Sequence, residues 1–489
     1  MFCGLQWVVA NCSSGVAARQ PLLAGLAVSV MCEIRARLFF PYVLLAVGFI
    51  IVAIAPDIRA AAPEYIVDEQ PAPASVEDER APMEGVYPEE VPVPSVFPRI
   101  KRRLEKADPF WRDTQLRLHP RVYYFDRERE NANDSEALAY GGWLAYNSGF
   151  WRDRVRLNAS VYTTQRAYGP GDKDGTLLLK SGQRGFTVLG KANIDVKLTG
   201  SVSAKLYRQH FNLPYLNRND SRMVPNTFEA YTLVGKPENS WIYVLSHVRQ
   251  MKRRERDDFI SMSEAAGFAD RDEPLSMAGV RYDFTDDINI GATSQYAWEF
   301  MNTFYTEANG VWSFYNDWAL RLGGQYTDQR SIGDEIGGDF DTYVFGAKVA
   351  ASYRSATLTV AFSSTDSGAG IRNPFGGYPG YLSLMIKSFN RADEDAWLIG
   401  ASYDFERIGL PGLSSFVNYA QGDTPDRGAN ASPDHDELDI TVDYRFQSEL
   451  LDGLWLRARA AFVDQENDVA GASDVDDIRV ILNYDLPIL

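Results

Sequence analysis

Cysteine stops at residue 32. Cys3, Cys12 and Cys32 are the chain's three, so a body built from later residues has neither a disulfide framework nor a thiolate metal site. Histidine is nearly as scarce: His119, His210, His247 and His435 are the four, and none has catalytic or metal-binding spacing. The sequence therefore offers no catalytic residue, no metal site and no cofactor. Beyond residue 62 no apolar run is long enough for a membrane helix, which excludes a helical membrane body there. A basic excess is lacking too. The 49 Lys and Arg face 66 Asp and Glu, a net charge of −17, so nucleic acid is not an expected partner.

The one long apolar run, Leu38 to Ala55, follows Arg35 and Arg37 and precedes Ala60, Ala61 and Ala62. A basic region, an apolar core and small residues in that order describe a secretory signal peptide. A retained anchor is the competing reading, and the alanine cluster favours cleavage. Thirty residues with Arg19 as their one charge precede Met31, which points to Met31 as the start. The expected organisation is an N-terminal extension at 1–30, a signal peptide at 31–61, a Pro- and acid-rich periplasmic leader at 62–107 and one body at 108–489. Cleavage after residue 61 removes four bases and two acids and moves the charge from −17 to −19.

What fills that body is alternation. Successive side chains of a strand point to opposite faces, and a barrel wall in a membrane needs lipid-compatible residues on one face and polar ones on the other. Val155, Leu157, Ala159 and Val161 alternate with Arg154, Arg156, Asn158 and Ser160. Val188, Gly190, Ala192, Ile194, Val196 and Leu198 read as one face, with Lys191, Asn193, Asp195 and Lys197 as the other. Leu438, Ile440, Val442, Tyr444 and Phe446 stand against Glu437, Asp439, Thr441, Asp443 and Arg445.

The pattern predicts eighteen strands, at 115–125, 137–147, 154–164, 186–198, 201–209, 227–235, 240–251, 275–284, 288–299, 302–313, 317–328, 341–353, 356–364, 395–405, 412–421, 436–446, 453–463 and 476–485. Their connections run long and short in turn, with a tight 300–301 as the exception. Long outer loops and short periplasmic turns are the mark of a transmembrane antiparallel β-barrel, so the fold class is all-β. A soluble sandwich or propeller does not account for that rhythm, nor for Tyr282, Trp298, Tyr326, Tyr343 and Tyr353 at strand ends, where interfacial girdles belong.

Strand parity sorts the charges. Arg121, Arg156, Lys191, Lys205, Arg281, Arg321, Lys348, Arg445, Arg457, Arg459 and Arg479 fall on the lumen-facing side. Closure of the wall makes the first and last strands neighbours and brings Arg445, Arg457, Arg459 and Arg479 toward Arg121 on the first strand and Arg154 and Arg156 on the third, a basic column suited to carboxylates. The competing reading pairs these bases with Glu437, Asp439, Asp443 and Asp485.

Four segments resemble the OprD-type outer membrane porins of Gram-negative bacteria: RVYYFDR at 121–127, NDSRMVPNTF at 219–228, FNRADEDAWLIGASYDFERIGLPGL at 389–413 and LWLRARAAF at 454–462. A closing DIRVILNYDLPIL extends the resemblance over essentially all of 108–489. It implies an eighteen-stranded barrel in the outer membrane, narrowed by inward-folded loops at 210–226 and 365–394. It also implies a basic ladder guiding small carboxylate-bearing nutrients. Mapped by motif, the ladder takes in Arg121, Arg127, Arg445, Arg457 and Arg459, with Asp220, Ser221 and Arg222 near the constriction. Parity alone adds Arg156 and Arg479. Asp220 and Arg222 have a second reading, as braces between loop and wall. The implied partners are small anionic or zwitterionic solutes, outer-membrane lipid and the barrel assembly machinery, for a monomer or homotrimer. A non-transporting structural or adhesive barrel and a barrel enzyme are the rival functions.

Overall fold

A computed structural model of the chain describes residues 96–489 except 239, 315–316, 449–450 and 467–471. The expected extension, the signal peptide and the leader up to residue 95 lie outside the described residues.

Eighteen long strands make the wall. The first six are β1 (Gln115–Arg129), β2 (Ser135–Asn147), β3 (Val155–Tyr168), β4 (Phe186–Lys197), β5 (Val202–Gln209) and β6 (Thr227–Glu238). Then come β7 (Trp241–Lys252), β8 (Leu275–Thr285), β9 (Ile288–Ala297), β10 (Met301–Phe314), β11 (Trp318–Ser331) and β12 (Asp341–Tyr353). The last six are β13 (Ala356–Thr365), β14 (Asp395–Asp404), β15 (Leu413–Asp423), β16 (His435–Arg445), β17 (Leu454–Gln465) and β18 (Val475–Tyr484). Each pairs antiparallel with the next, and β18 pairs back onto β1 from Arg121↔Asn483 to Arg129↔Val475. Leu486–Pro487 prolongs that seam against Leu118 and Arg117. Closure satisfies the backbone without water, as a membrane wall requires.

The expected strands are all present, with ends displaced by up to four residues. The largest difference is at the first outer connection. β1 runs on to Arg129 and β2 starts at Ser135, so the long loop expected at 126–136 is the five-residue link 130–134. The tight outer connection expected at 300–301 is three residues, 298–300.

Exposure follows parity. On β16 the buried Glu437, Asp439 and Thr441 alternate with outward Leu438, Ile440 and Val442. Large outward residues such as Val122, Leu144, Leu245, Phe304, Phe345, Val360 and Ile399 form an apolar band around the wall. Rings cluster at its edges: Trp318 stacks on Tyr353 at 4.8 Å, Trp241 lies 4.6 Å from Tyr282, and Tyr326 lies 6.1 Å from Tyr343.

β4 departs from simple alternation within the wall. Ser160 pairs with Lys191 but Val161 with Leu189, so Gly190 is an extra residue in β4. The bulge reverses parity beyond it: Val188 is buried inside and Leu189 faces out, although the sequence pattern put Val188 and Ile194 on one face. A β-carbon at Gly190 would come within 2.8 Å of the Tyr162 ring, which explains why the extra residue is glycine.

Two short helices precede the wall at its inner, short-turn end. α1 (Pro98–Leu104) and α2 (Pro109–Arg112) both have Pro in the first turn, where no N–H is needed. The Asp108 carboxylate caps α2 by accepting the Phe110 N–H at 3.2 Å. Residues 96–107, read from composition as the end of a flexible leader, are therefore structured.

Candidate functional site

Two outer loops turn into the barrel. In residues 210–226, Phe211, Leu213 and Leu216 are buried against Phe228, Val244 and Met277 of the wall, together with Phe375 of loop 366–394. Tyr215 lies 6.0 Å from both Tyr305 of β10 and Tyr378 of the second loop. Leu382, Leu384 and Phe389 pack on Ala361, Ala396 and Leu398. Aromatic and aliphatic residues in an outer loop are stable where they bury area, and the lumen wall supplies it.

The loops also hold each other. The Asn217 side chain donates to the Gly377 carbonyl at 2.9 Å and accepts the Gly377 N–H at 2.7 Å. Gly376 permits the approach, because a β-carbon there would sit 2.6 Å from Asn217 Oδ1.

The three residues singled out near the constriction act as the first loop's fastening. Arg121 of β1 donates to Asn483 Oδ1 at 2.6 Å, to Asp220 Oδ1 at 2.8 Å and to the Arg222 carbonyl at 2.5 Å. Ser221 donates to Asn219 Oδ1 at 2.8 Å, and its carbonyl accepts from Tyr123 Oη at 3.3 Å. Arg222 is buried over the Phe125 ring at 4.9 Å and donates to the Thr176 carbonyl at 2.9 Å. Burial, helped by Arg479, holds its pKa well below the usual arginine value. The bracing reading of Asp220 and Arg222 thus has direct partners.

Sequence reasoning missed Arg254 and Lys252. Arg254 donates to Ser221 Oγ and to Asn219 Oδ1, and burial pushes its pKa down to about 10. It belongs to RRERDD at 253–258, a run that reads as solvated charge. The buried Lys252 ammonium donates to the Pro225 carbonyl at 2.8 Å.

The second loop is fastened through its backbone. The Met385 N–H donates to Asp439 Oδ2 at 3.0 Å, and the Ile386 and Lys387 N–H groups donate to Glu437 at 2.8 and 2.6 Å. Arg479 donates to the Met385 carbonyl at 3.3 Å.

Register orders the ladder arginines along the seam formed by β16, β17, β18 and β1. Arg127 stands opposite Asp477. Two residues inward, Arg479 stands opposite both Phe125 and Arg459, and Arg457 follows beside Ile481. Arg121 lies opposite Asn483, which pairs with Trp455, which in turn pairs with Arg445. Four levels at about 7 Å per two residues therefore cover roughly 20 Å of wall. Arg156, expected in this column together with Arg154, is apart from it, and Arg154 lies in the turn before β3. Arg121 pairs with Gly141 and Gly141 with Thr164, and Arg156 lies eight residues inward of Thr164, at the inner mouth.

Most of these bases have carboxylate partners. Arg127 and Arg479 share Asp477 at 2.7 and 2.6 Å, Arg457 pairs with Asp443 at 2.7 Å, and Arg156 with Asp195 at 2.8 Å. Arg459 donates to Thr441 Oγ1 at 3.0 Å, and Arg445 is exposed. Among the described residues no carboxylate lies within ion-pair distance of Arg445 or Arg459. The expected neighbours Glu437 and Asp439 serve the loop backbone instead.

The histidines are dispersed. His119 stacks on Trp143 at 3.7 Å, His210 meets Tyr162 Oη at 3.0 Å, His247 meets Ser276 on the outer face, and His435 opens β16 at 3.5 Å from Glu394.

Residues 108–488 match the family model described as outer membrane porin, OprD family. Porin D of Pseudomonas aeruginosa is 22% identical over 422 residues, covering 78% of this chain and 93% of that protein. The crystal structure of Pseudomonas aeruginosa OccK9 (OpdG) aligns with a TM-score of 0.71 at 24% identity, covering 78% of this chain and all of that one. Pseudomonas aeruginosa OpdK, solved with vanillate, aligns with a TM-score of 0.68 at 21% identity over 77% of this chain and 99% of that one. At these identities the structural likeness speaks for the fold, and the family model for the membership.

Proposed function

Since this chain belongs to the OprD family of outer membrane porins, a channel for small solutes in a Gram-negative outer membrane, we propose that its solutes are small carboxylates guided by the seam arginines. The observation that carries the reading is Arg459 opposite Arg479. Like charges directly opposite on neighbouring strands are destabilising, so a wall that keeps them calls for a compensating anion. Asp477 answers Arg479, whereas Arg459 has the Thr441 hydroxyl. A guanidinium in a narrow low-dielectric passage concentrates anions and offers a carboxylate two parallel hydrogen bonds. OpdK was solved with vanillate, a carboxylate, which agrees with this solute class.

In this reading Arg445 and Arg459, which have no carboxylate within ion-pair distance among the described residues, are the contacts a solute exchanges between, and Arg457 joins them when a solute carboxylate replaces Asp443. Arg121, Arg127, Arg156 and Arg479 set the field while bonded to their carboxylates. Asp220, Ser221 and Arg222 define the aperture through the loop they hold. The experiment is uptake into proteoliposomes of benzoate against benzamide, which match in shape and differ in charge. Faster benzoate entry is expected; equal or slower entry contradicts the carboxylate assignment.

A further inference from the structure

Residues 96–112, ahead of the wall, carry a surface that the channel does not use. Along α1, Phe97, Ile100 and Leu104 recur at helical spacing on one side, and Arg99, Arg102, Arg103 and Lys106 recur on another. None of the α1 residues is buried, and Val96, Phe97, Ile100 and Trp111 are about half exposed. Among the described residues no carboxylate pairs with Arg99, Lys101, Arg102, Arg103 or Lys106.

The segment is pinned, not trailing. The Val96 and Phe97 N–H groups donate to the Pro487 and Ile488 carbonyls at 2.9 and 3.3 Å, which fixes the start of α1 to the closure seam. The Gly149 N–H donates to the Phe110 carbonyl at 2.9 Å, which fixes α2 to the turn after β2. Trp151 in that turn is exposed like Trp111, with the Arg152 guanidinium 4.7 Å above its ring. A short basic amphipathic helix and two exposed indoles therefore sit at the inner rim, held to the closure seam and to the turn after β2. Indoles belong at membrane interfaces, and basic helices with one apolar side lie along anionic ones.

We propose that residues 96–112 bind the anionic phospholipid headgroups of the leaflet at the inner rim, with Phe97, Ile100 and Trp111 entering its apolar boundary. Lipid answers both features of the surface at once: the apolar row enters its apolar boundary, and Arg99, Arg102, Arg103 and Lys106 meet phosphate. The acidic stretch just upstream, with Glu77, Asp78, Glu79, Glu84, Glu89 and Glu90, complements the charge and is the competing occupant.

The test is hydrogen–deuterium exchange of residues 96–106 in protein isolated from outer membranes and placed in nanodiscs. Exchange is expected to be about tenfold slower or more with phosphatidylglycerol than with phosphatidylcholine alone, and the difference to vanish in high salt. Arg99→Gln, Arg102→Gln, Arg103→Gln and Lys106→Gln together should abolish it while leaving the strands protected. The comparison of lipids and salt needs no variant to fold. Equal exchange in both lipids overturns the proposal. So does slow exchange in both that is released only when the six upstream acids are neutralised, because the chain's own leader then covers the helix.

Discussion

Arg121 on β1 donates to Asp220 at 2.8 Å, and this bond joins the barrel wall to a loop residue 99 positions further along the chain. Arg121 is 5% exposed, and its other bonds run to Asn483 and to the Arg222 carbonyl. Wall, closure seam and aperture loop therefore meet at one guanidinium.

Asp220→Ala leaves that buried guanidinium without its carboxylate, a loss of about 3–5 kcal/mol for a buried pair. The loop should detach at this end. Single-channel recordings should show a larger and noisier conductance than the wild type. Wild-type steps from the variant would mean that the loop is held without the pair.

Gly376→Val tests the contact between the two inward loops. Its side chain would start 2.6 Å from Asn217 Oδ1, so the Asn217–Gly377 bonds cannot form as they stand. The aperture should widen, and liposome swelling should admit larger sugars. An unchanged size limit would place the aperture elsewhere.

The Glu437 anchor predicts a protease-sensitive loop. Glu437→Ala strands the Ile386 and Lys387 N–H groups, at about 1–3 kcal/mol each if they stay buried. Trypsin added from outside should then cut at Lys387 or Arg391 in the variant and spare the wild type. Equal resistance would show that the packing of Leu382, Leu384 and Phe389 suffices.

The outward face predicts a different kind of sensitivity. Val360 is half exposed near the middle of β13, where a Lys facing hydrocarbon costs roughly 2–4 kcal/mol. Val360→Lys should lower the urea midpoint of unfolding from lipid vesicles without altering ion selectivity. A selectivity change would mean that position 360 faces the lumen.

The wall was legible because each strand repeats one local rule. Glu437, Asp439 and Thr441 against Leu438, Ile440 and Val442 can be sorted from the chain alone, and so can the arginines beside them. Gly190 hid the β4 bulge, since a glycine fits either face of an alternation. α1 was hidden by composition: Pro98 and a run of bases resemble a solvated leader until the bonds to Pro487 and Ile488, from the far end of the chain, are seen. Arg254 was missed for the same reason. Its partners Asn219 and Ser221 lie on another loop, and no local pattern marks a base that is buried by a distant segment. Pairing within the lumen was also beyond the sequence, because whether Asp477 serves Arg127 or Arg479 depends on reach, and it serves both.

The reversal potential in a salt gradient across a planar bilayer tests the central claim most directly. The wild-type channel should be anion-selective with chloride and with benzoate, and Arg457→Gln with Arg459→Gln should move the potential toward cation selectivity. A cation-selective wild type, or a reversal potential that the two substitutions leave unchanged, would contradict a carboxylate path along the arginine seam.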